Sequence, residues 1–237
     1  MRRYVVFFFV AHLVTVPAFT VFAQSPPTAL ITPGQSFDLD DKIVSTSVFV
    51  WYQVSSGQLK GAWEPLGGRP SWTGEAPFWK DQIKQIMSAN IDVMNVHLYQ
   101  DQSGEAGPAA QRINLFQALS DLRHEGYDVP KVTPFLDPII TWGTNQAIDV
   151  STGNGKDTFV RLYEDFYDEY YSVNTDAHAD SYLTRIDNRT VLDTWHVHLS
   201  LDNVEDFSRA DVEARLQFKF GAEHPIFNDG IYMTTTR

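Results

Sequence analysis

The 237-residue chain contains no cysteine. Disulfides, cysteine-ligated zinc and thiol nucleophiles are therefore excluded. Positive charge is scarce: 18 Lys and Arg against 30 Asp and Glu give a formal net charge of −12. Nucleic acid and anionic membrane both call for a positive surface, so neither is expected as a partner. A long apolar run is also missing. The most hydrophobic stretch, MRRYVVFFFVAHLVTVPAFTVFAQS, is broken by His12 and Pro17. Its uninterrupted part falls short of the 18 or so residues that span a bilayer.

That stretch reads instead as a secretory signal over residues 1–23. Arg2 and Arg3 give the positive start, residues 4–16 the apolar part, and Val21, Phe22 and Ala23 a small-residue end. Cleavage after Ala23 is expected, which makes the protein a secreted one, extracellular or periplasmic, with no membrane contact thereafter. A retained anchor is the competing reading. Residues 24–40, beginning QSPP, form a Pro-rich leader, and residues 41–237 are expected to form the domain.

What the chain does have is an alternation. SVFVWYQV (47–54) is rich in β-branched and aromatic residues, and PFWKDQIKQIMSAN carries Trp79, Ile83 and Ile86 at helical spacing. IDVMNVHLYQ follows. AAQRINLFQALSDLRHEG places Leu115, Leu119 and Leu122 on one stripe, with Gly126 as a C-terminal cap. KVTPFLDP (131–138) is a third strand. DTFVRLYEDFYDEYYSVN (157–174) lines one side with Phe159, Leu162, Phe166 and Tyr170, and the Gly-rich STGNGKDT before it reads as a lead-in capped by Asp157. VLDTWHVHLS (191–200) is a fourth strand, SRADVEARLQFKFG a fourth helix with Ser208 and Asp211 in capping-box spacing, and GIYMTTTR the start of a fifth strand.

Strands alternating with helices predict an α/β fold with a parallel sheet. In the second strand Met94, Val96 and Leu98 are apolar while Asn95, His97 and Tyr99 are polar or amphipathic. In the fourth, Val191, Trp195, Val197 and Leu199 are expected against helices, and Leu192, Thr194, His196 and His198 on the other face, with Asp193 breaking the pattern. Polar residues gathered on one face near the C-terminal ends suit the interior of a (β/α)8 TIM-type barrel better than an open sheet covered on both sides. About 250 residues make eight such units, so this chain is expected to hold the N-terminal four to five. A chain truncated there leaves two unpaired sheet edges and is expected to self-associate.

Aromatic residues gather at strand ends and in the adjoining loops: Trp51, Tyr52, Trp63, Trp72 and Trp142. Their flat faces suit the apolar C–H faces of sugar rings, and loop packing is the other use for each. Gln53, Asn95, His97, Tyr99, Asp101, Asp137, His196 and His198 provide donors and acceptors for a hydroxyl-rich ligand. Asp137 is the best-placed carboxylate and the one candidate catalytic residue, unless it merely caps the turn before Pro138. The His196/His198 pair fits a transition metal only if a third ligand such as His97 or Asp137 converges; the expected role is hydrogen bonding, with no metal and no cofactor. Asn188 opens an N-R-T sequon.

SVFVWYQV with the tryptophan loop after it, PFWKDQIKQIMSANIDVMNVHLY, KVTPFLDP, the aromatic FYDEYY helix and SYLTRIDNRTVLDTW together resemble glycoside hydrolases of families 71 and 99 and related secreted barrel domains of unknown function. The likeness runs over about residues 45–200. It implies a secreted carbohydrate-active barrel hydrolysing O-glycosyl bonds, with a polysaccharide or glycan as substrate. It assigns no catalytic residues, because the acidic pair of family 99 lies in a late strand-loop beyond Arg237. A non-catalytic glycan-binding barrel and a metal-dependent hydrolase using His196 and His198 are the alternatives.

Overall fold

The computed structural model describes residues 36–50, 67–99, 108–138, 147–195 and 200–236. It is a mixed α/β fold with a mostly parallel sheet. In chain order the elements are β1 (Ser45–Val48), α1 (Ala76–Ser88), β2 (Val93–Tyr99), α2 (Ala109–His124), β3 (Lys131–Asp137), β4 (Ile148–Asp149), α3 (Gly153–Val173), β5 (Arg185–Ile186), β6 (Arg189–Trp195), β7 (Leu201–Asp202), α4 (Arg209–Phe220) and β8 (Ile231–Thr236). Among the described residues no helix is long and apolar enough to cross a membrane.

The main strands lie side by side in the order they occur: β1, β2, β3, β6, β8, each parallel to its neighbour. Among the described strands only β5 is antiparallel, a short hairpin arm on β6. A doubly wound sheet reverses its order at a switch point; these strands do not reverse. With right-handed crossovers, a strand order that never reverses puts every helix on the same face. The helices accordingly pack in sequence, α1 on α2, α2 on α3 and α3 on α4. Among the described residues the sheet is open, with β1 and β8 at its edges.

The helix-facing positions fill the core. Met94, Val96 and Leu98 of β2, Val132 and Leu136 of β3 and Leu192 of β6 pack with Leu115, Leu119, Phe159, Leu162 and Phe166. The four helices follow their apolar stripes closely. α4 carries the capping box, with Ser208 accepting from the Asp211 N–H and Asp211 returning the contact, and Gly221 ends it at φ 92°. Gly126, at φ 89°, closes α2.

The start of α3 departs from expectation. The helix begins at Gly153 rather than near Asp157, and the N-cap is Thr152, whose side chain accepts from the Gly155 N–H. Asp157 lies inside the helix and pairs with Arg215 of α4. The Gly-rich segment is thus the first helical turn. Gly155 is there because a Cβ would sit 1.8 Å from the Asp149 carbonyl oxygen.

The face assignment of β6 is also corrected. Parallel partners point the same way, and Thr194 pairs with Leu136, which is in the core. The Tyr163 hydroxyl of α3 meets the Thr194 hydroxyl directly. So Leu192 and Thr194 face the helices, while Val191, Asp193 and Trp195 face away. Trp195 made its set look apolar, yet an amphipathic ring serves either face. Positions 196–199, with Val197, Leu199 and both histidines, lie outside the described residues, as do 51–54.

The β5–β6 hairpin turns through Asp187 and Asn188 at φ 48° and 61°, the conformation that a two-residue type I′ turn requires. Asn188 of the sequon is exposed at its tip. Phe37, at the end of the segment expected as leader, exchanges backbone hydrogen bonds with Arg185 and Asp187 of this hairpin, at 3.0 and 2.8 Å.

Candidate functional site

The face turned away from the helices carries rungs of polar and aromatic side chains, set by the strand register. One rung runs His97, Phe135, Asp193, Thr234 across β2, β3, β6 and β8. The next, toward the C-terminal ends, contains Tyr99 and Asp137. Below them lie Ser47, Asn95 and Thr133.

His97 is the centre of the group. It is 4% exposed, with ring contacts to Phe49 at 4.9 Å, Phe135 at 5.7 Å and Tyr99 at 6.0 Å. Its Nε2 lies 3.3 Å from Asp137 Oδ2. With the ring proton on Nε2, the imidazole donates to the carboxylate and fixes its orientation. The Asp137 side chain keeps 20% exposure, so the carboxylate is open to solvent while the histidine stays behind it. His97 thus packs behind the Asp137 carboxylate and holds it.

Trp195 meets Phe135 edge-on, centroids 5.5 Å apart at 89°. The Thr234 hydroxyl donates to Asp193 Oδ1 at 2.6 Å. Asp193 is 8% exposed, and its carboxylate is held by that bond.

The connections after β3 and β6 leave the sheet at this same end and are tied to each other. β4 and β7 form a two-residue parallel pair, and Asn203, at φ 55°, donates to Asp149 Oδ1 at 2.8 Å. Hydrogen bonds from Ser151 and Asn203 hold the Asp149 carboxyl below the usual carboxylate range. The rim beside the polar rungs is therefore clamped.

Of the residues expected from the sequence, the fold brings Asn95, His97, Tyr99 and Asp137 onto one face. Trp72 does not join them. It packs on Phe78, centroids 5.3 Å apart, and lines a groove of about 240 Å³ with Val48, Trp79 and Ile86, beside the β1 edge. Trp51, Tyr52, Gln53, Asp101, Trp142, His196 and His198 lie outside the described residues. Asp193, Thr234, Phe49, Phe135 and Trp195 were not anticipated. The signal for Asp193 was its clash with an assumed apolar set, which the corrected parity removes. Among the described residues no group of three or more metal-ligating side chains comes together.

No family model, curated protein or solved structure is significantly similar to the chain.

Proposed function

We propose that the chain is part of a secreted (β/α)8 barrel that binds a polyhydroxylated ligand, as a glycoside hydrolase acting on O-glycosyl bonds does. One observation carries the reading: a reachable carboxylate, Asp137, is held by a buried histidine and flanked by aromatic rings at the C-terminal end of a parallel sheet. Barrel enzymes build their sites at that end. Strands that follow one another without reversal, with helices packed in series, are what a barrel requires. Asp137 is the group for proton transfer to or from the glycosidic oxygen, and Tyr99 and Trp195 supply the apolar faces against which a sugar ring stacks.

The second reading, a glycan-binding barrel without turnover, draws on Asp193. Glycosidases need two carboxyl groups in play, and the second carboxylate on this face is committed to Thr234.

Oligosaccharides of different linkage, assayed for reducing-end release and for quenching of tryptophan fluorescence, separate the two. Under the first reading Asp137→Asn lowers turnover by about 10²–10⁴-fold while binding persists. Under the second, the wild type quenches and never turns over. If no glycan quenches and none is cleaved, both readings fall. The signal-like residues 1–23 make the protein an exported one in this proposal, and N-terminal sequencing of secreted material should begin at Gln24.

A further inference from the structure

At the opposite end of the sheet, where the strands begin, a cavity of about 290 Å³ is lined by Ser36, Phe37, Asp41, Lys42, Asp92 and Lys131. That volume falls at the small end of ligand pockets, which run about 300–1,000 Å³. Lys131 opens β3 and pairs with Val93, so its side chain lies on the face without helices. It is 5% exposed. Its Nζ donates to the Ser181 carbonyl and lies 5.8 Å from the centroid of the Phe37 ring.

Burial pushes the Lys131 amine down to about 8; Asp128 opposes the shift and Arg185 adds to it. Asp41, Asp92 and Lys42 are the other charged groups around the cavity. A pKa of about 8 leaves about a tenth of the amine neutral at pH 7, against about one part in three thousand for an ordinary lysine. A desolvated amine beside another cation is the arrangement by which lysine becomes a nucleophile.

We propose that Lys131 is a carbonyl-reactive amine and that the cavity admits a small aldehyde or ketone to it. The neutral amine adds to the carbonyl carbon. The carbinolamine then loses water, leaving an imine between Nζ and that carbon. One carbonyl compound is taken up, one water is released, and nothing is oxidised or reduced. Asp41 and Asp92, on the same cavity, supply carboxyl groups to carry the proton to the departing hydroxyl.

The test treats the folded chain with propanal and cyanoborohydride, which traps the imine as a secondary amine, and maps the products by peptide mass. The chain has seven lysines. In the folded protein Lys131 should react at least about tenfold faster than the others at pH 7, with a rate midpoint near pH 8. In urea that lead should vanish. Lys131→Arg should remove the fast component and leave the other six rates unchanged. If that variant does not fold, the comparison of folded with urea-unfolded wild type decides. Labelling of Lys131 last, or at the common rate, in the folded chain overturns the proposal and assigns the amine to the Ser181 carbonyl alone.

Discussion

Replacing Arg112 by methionine removes half of a buried ion pair and leaves the other half exposed to its own desolvation. Arg112 is fully buried in α2. Its Nε and Nη2 donate to the two carboxylate oxygens of Glu169 on α3, both at 2.7 Å. The Glu169 side chain is 10% exposed. Burial raises the Glu169 pKa and the Arg112 hydrogen bonds and charge oppose that rise. Methionine keeps most of the volume and supplies neither, so the pKa climbs further. Deleting one partner of such a pair typically costs about 3–5 kcal/mol.

The sign of the pH dependence follows. A carboxyl whose folded pKa is raised holds a proton in the folded state that the unfolded chain has already released. Its stability contribution is complete below the unfolded value and is lost as pH rises toward the folded one. The variant should therefore lose stability faster than wild type as pH rises above the unfolded carboxylate range, by at most about 1.4 kcal/mol per pH unit. Urea unfolding followed by circular dichroism at several pH values reads it. The deficit against wild type should be large at pH 7 and shrink toward pH 4, and a second change, Glu169→Met, should restore most of it. A deficit that does not vary with pH, or that Glu169→Met leaves in place, would refute the ion-pair account and assign Arg112 to packing.

Gly155→Ala should destabilise by more than about 2 kcal/mol, because the added Cβ meets the Asp149 carbonyl, whereas Gly153→Ala, which meets nothing within 4 Å, should be neutral or stabilising by up to about 1 kcal/mol; thermal melts compare the two. Ser208→Ala removes the cap of α4 and should cost about 1 kcal/mol in the same assay. Thr234→Val strands the Asp193 carboxylate and should cost about 1–3 kcal/mol, and adding Asp193→Val should recover that loss; urea midpoints of the single and double variants measure the coupling.

The helices and strands were legible because their signal is local. Trp79, Ile83 and the α2 and α3 stripes repeat at helical spacing and are buried as that spacing implies. His97, Tyr99 and Asp137 were legible for the same reason, as one parity of two strands. What failed is relational. Whether Asp193 or Thr194 faces the helices is decided by pairing with Leu136 and by contact with Tyr163, neither of which is visible along β6 alone. The start of α3 was hidden by its glycines. Their usual meaning, a break, was overridden by the close approach of the Asp149 carbonyl, a tertiary fact.

The corrected parity changes what the unhelical face means. On the same strands, the helix-facing positions are Met94, Val96, Leu98, Val132, Leu136 and Leu192, and these already supply the core. The opposite positions carry Asn95, His97, Thr133, Asp137 and Asp193. Burying Asp193 to 8% and His97 to 4% is costly even with partners, and apolar residues of similar size often serve stability as well or better. Folding alone therefore gives no reason for polar groups on consecutive rungs across four strands. The reachable Asp137 stands at the top of this set with His97 behind it. A face that sets these polar groups among Phe135 and Trp195 and ends in an accessible carboxylate supports the polar-ligand reading proposed above.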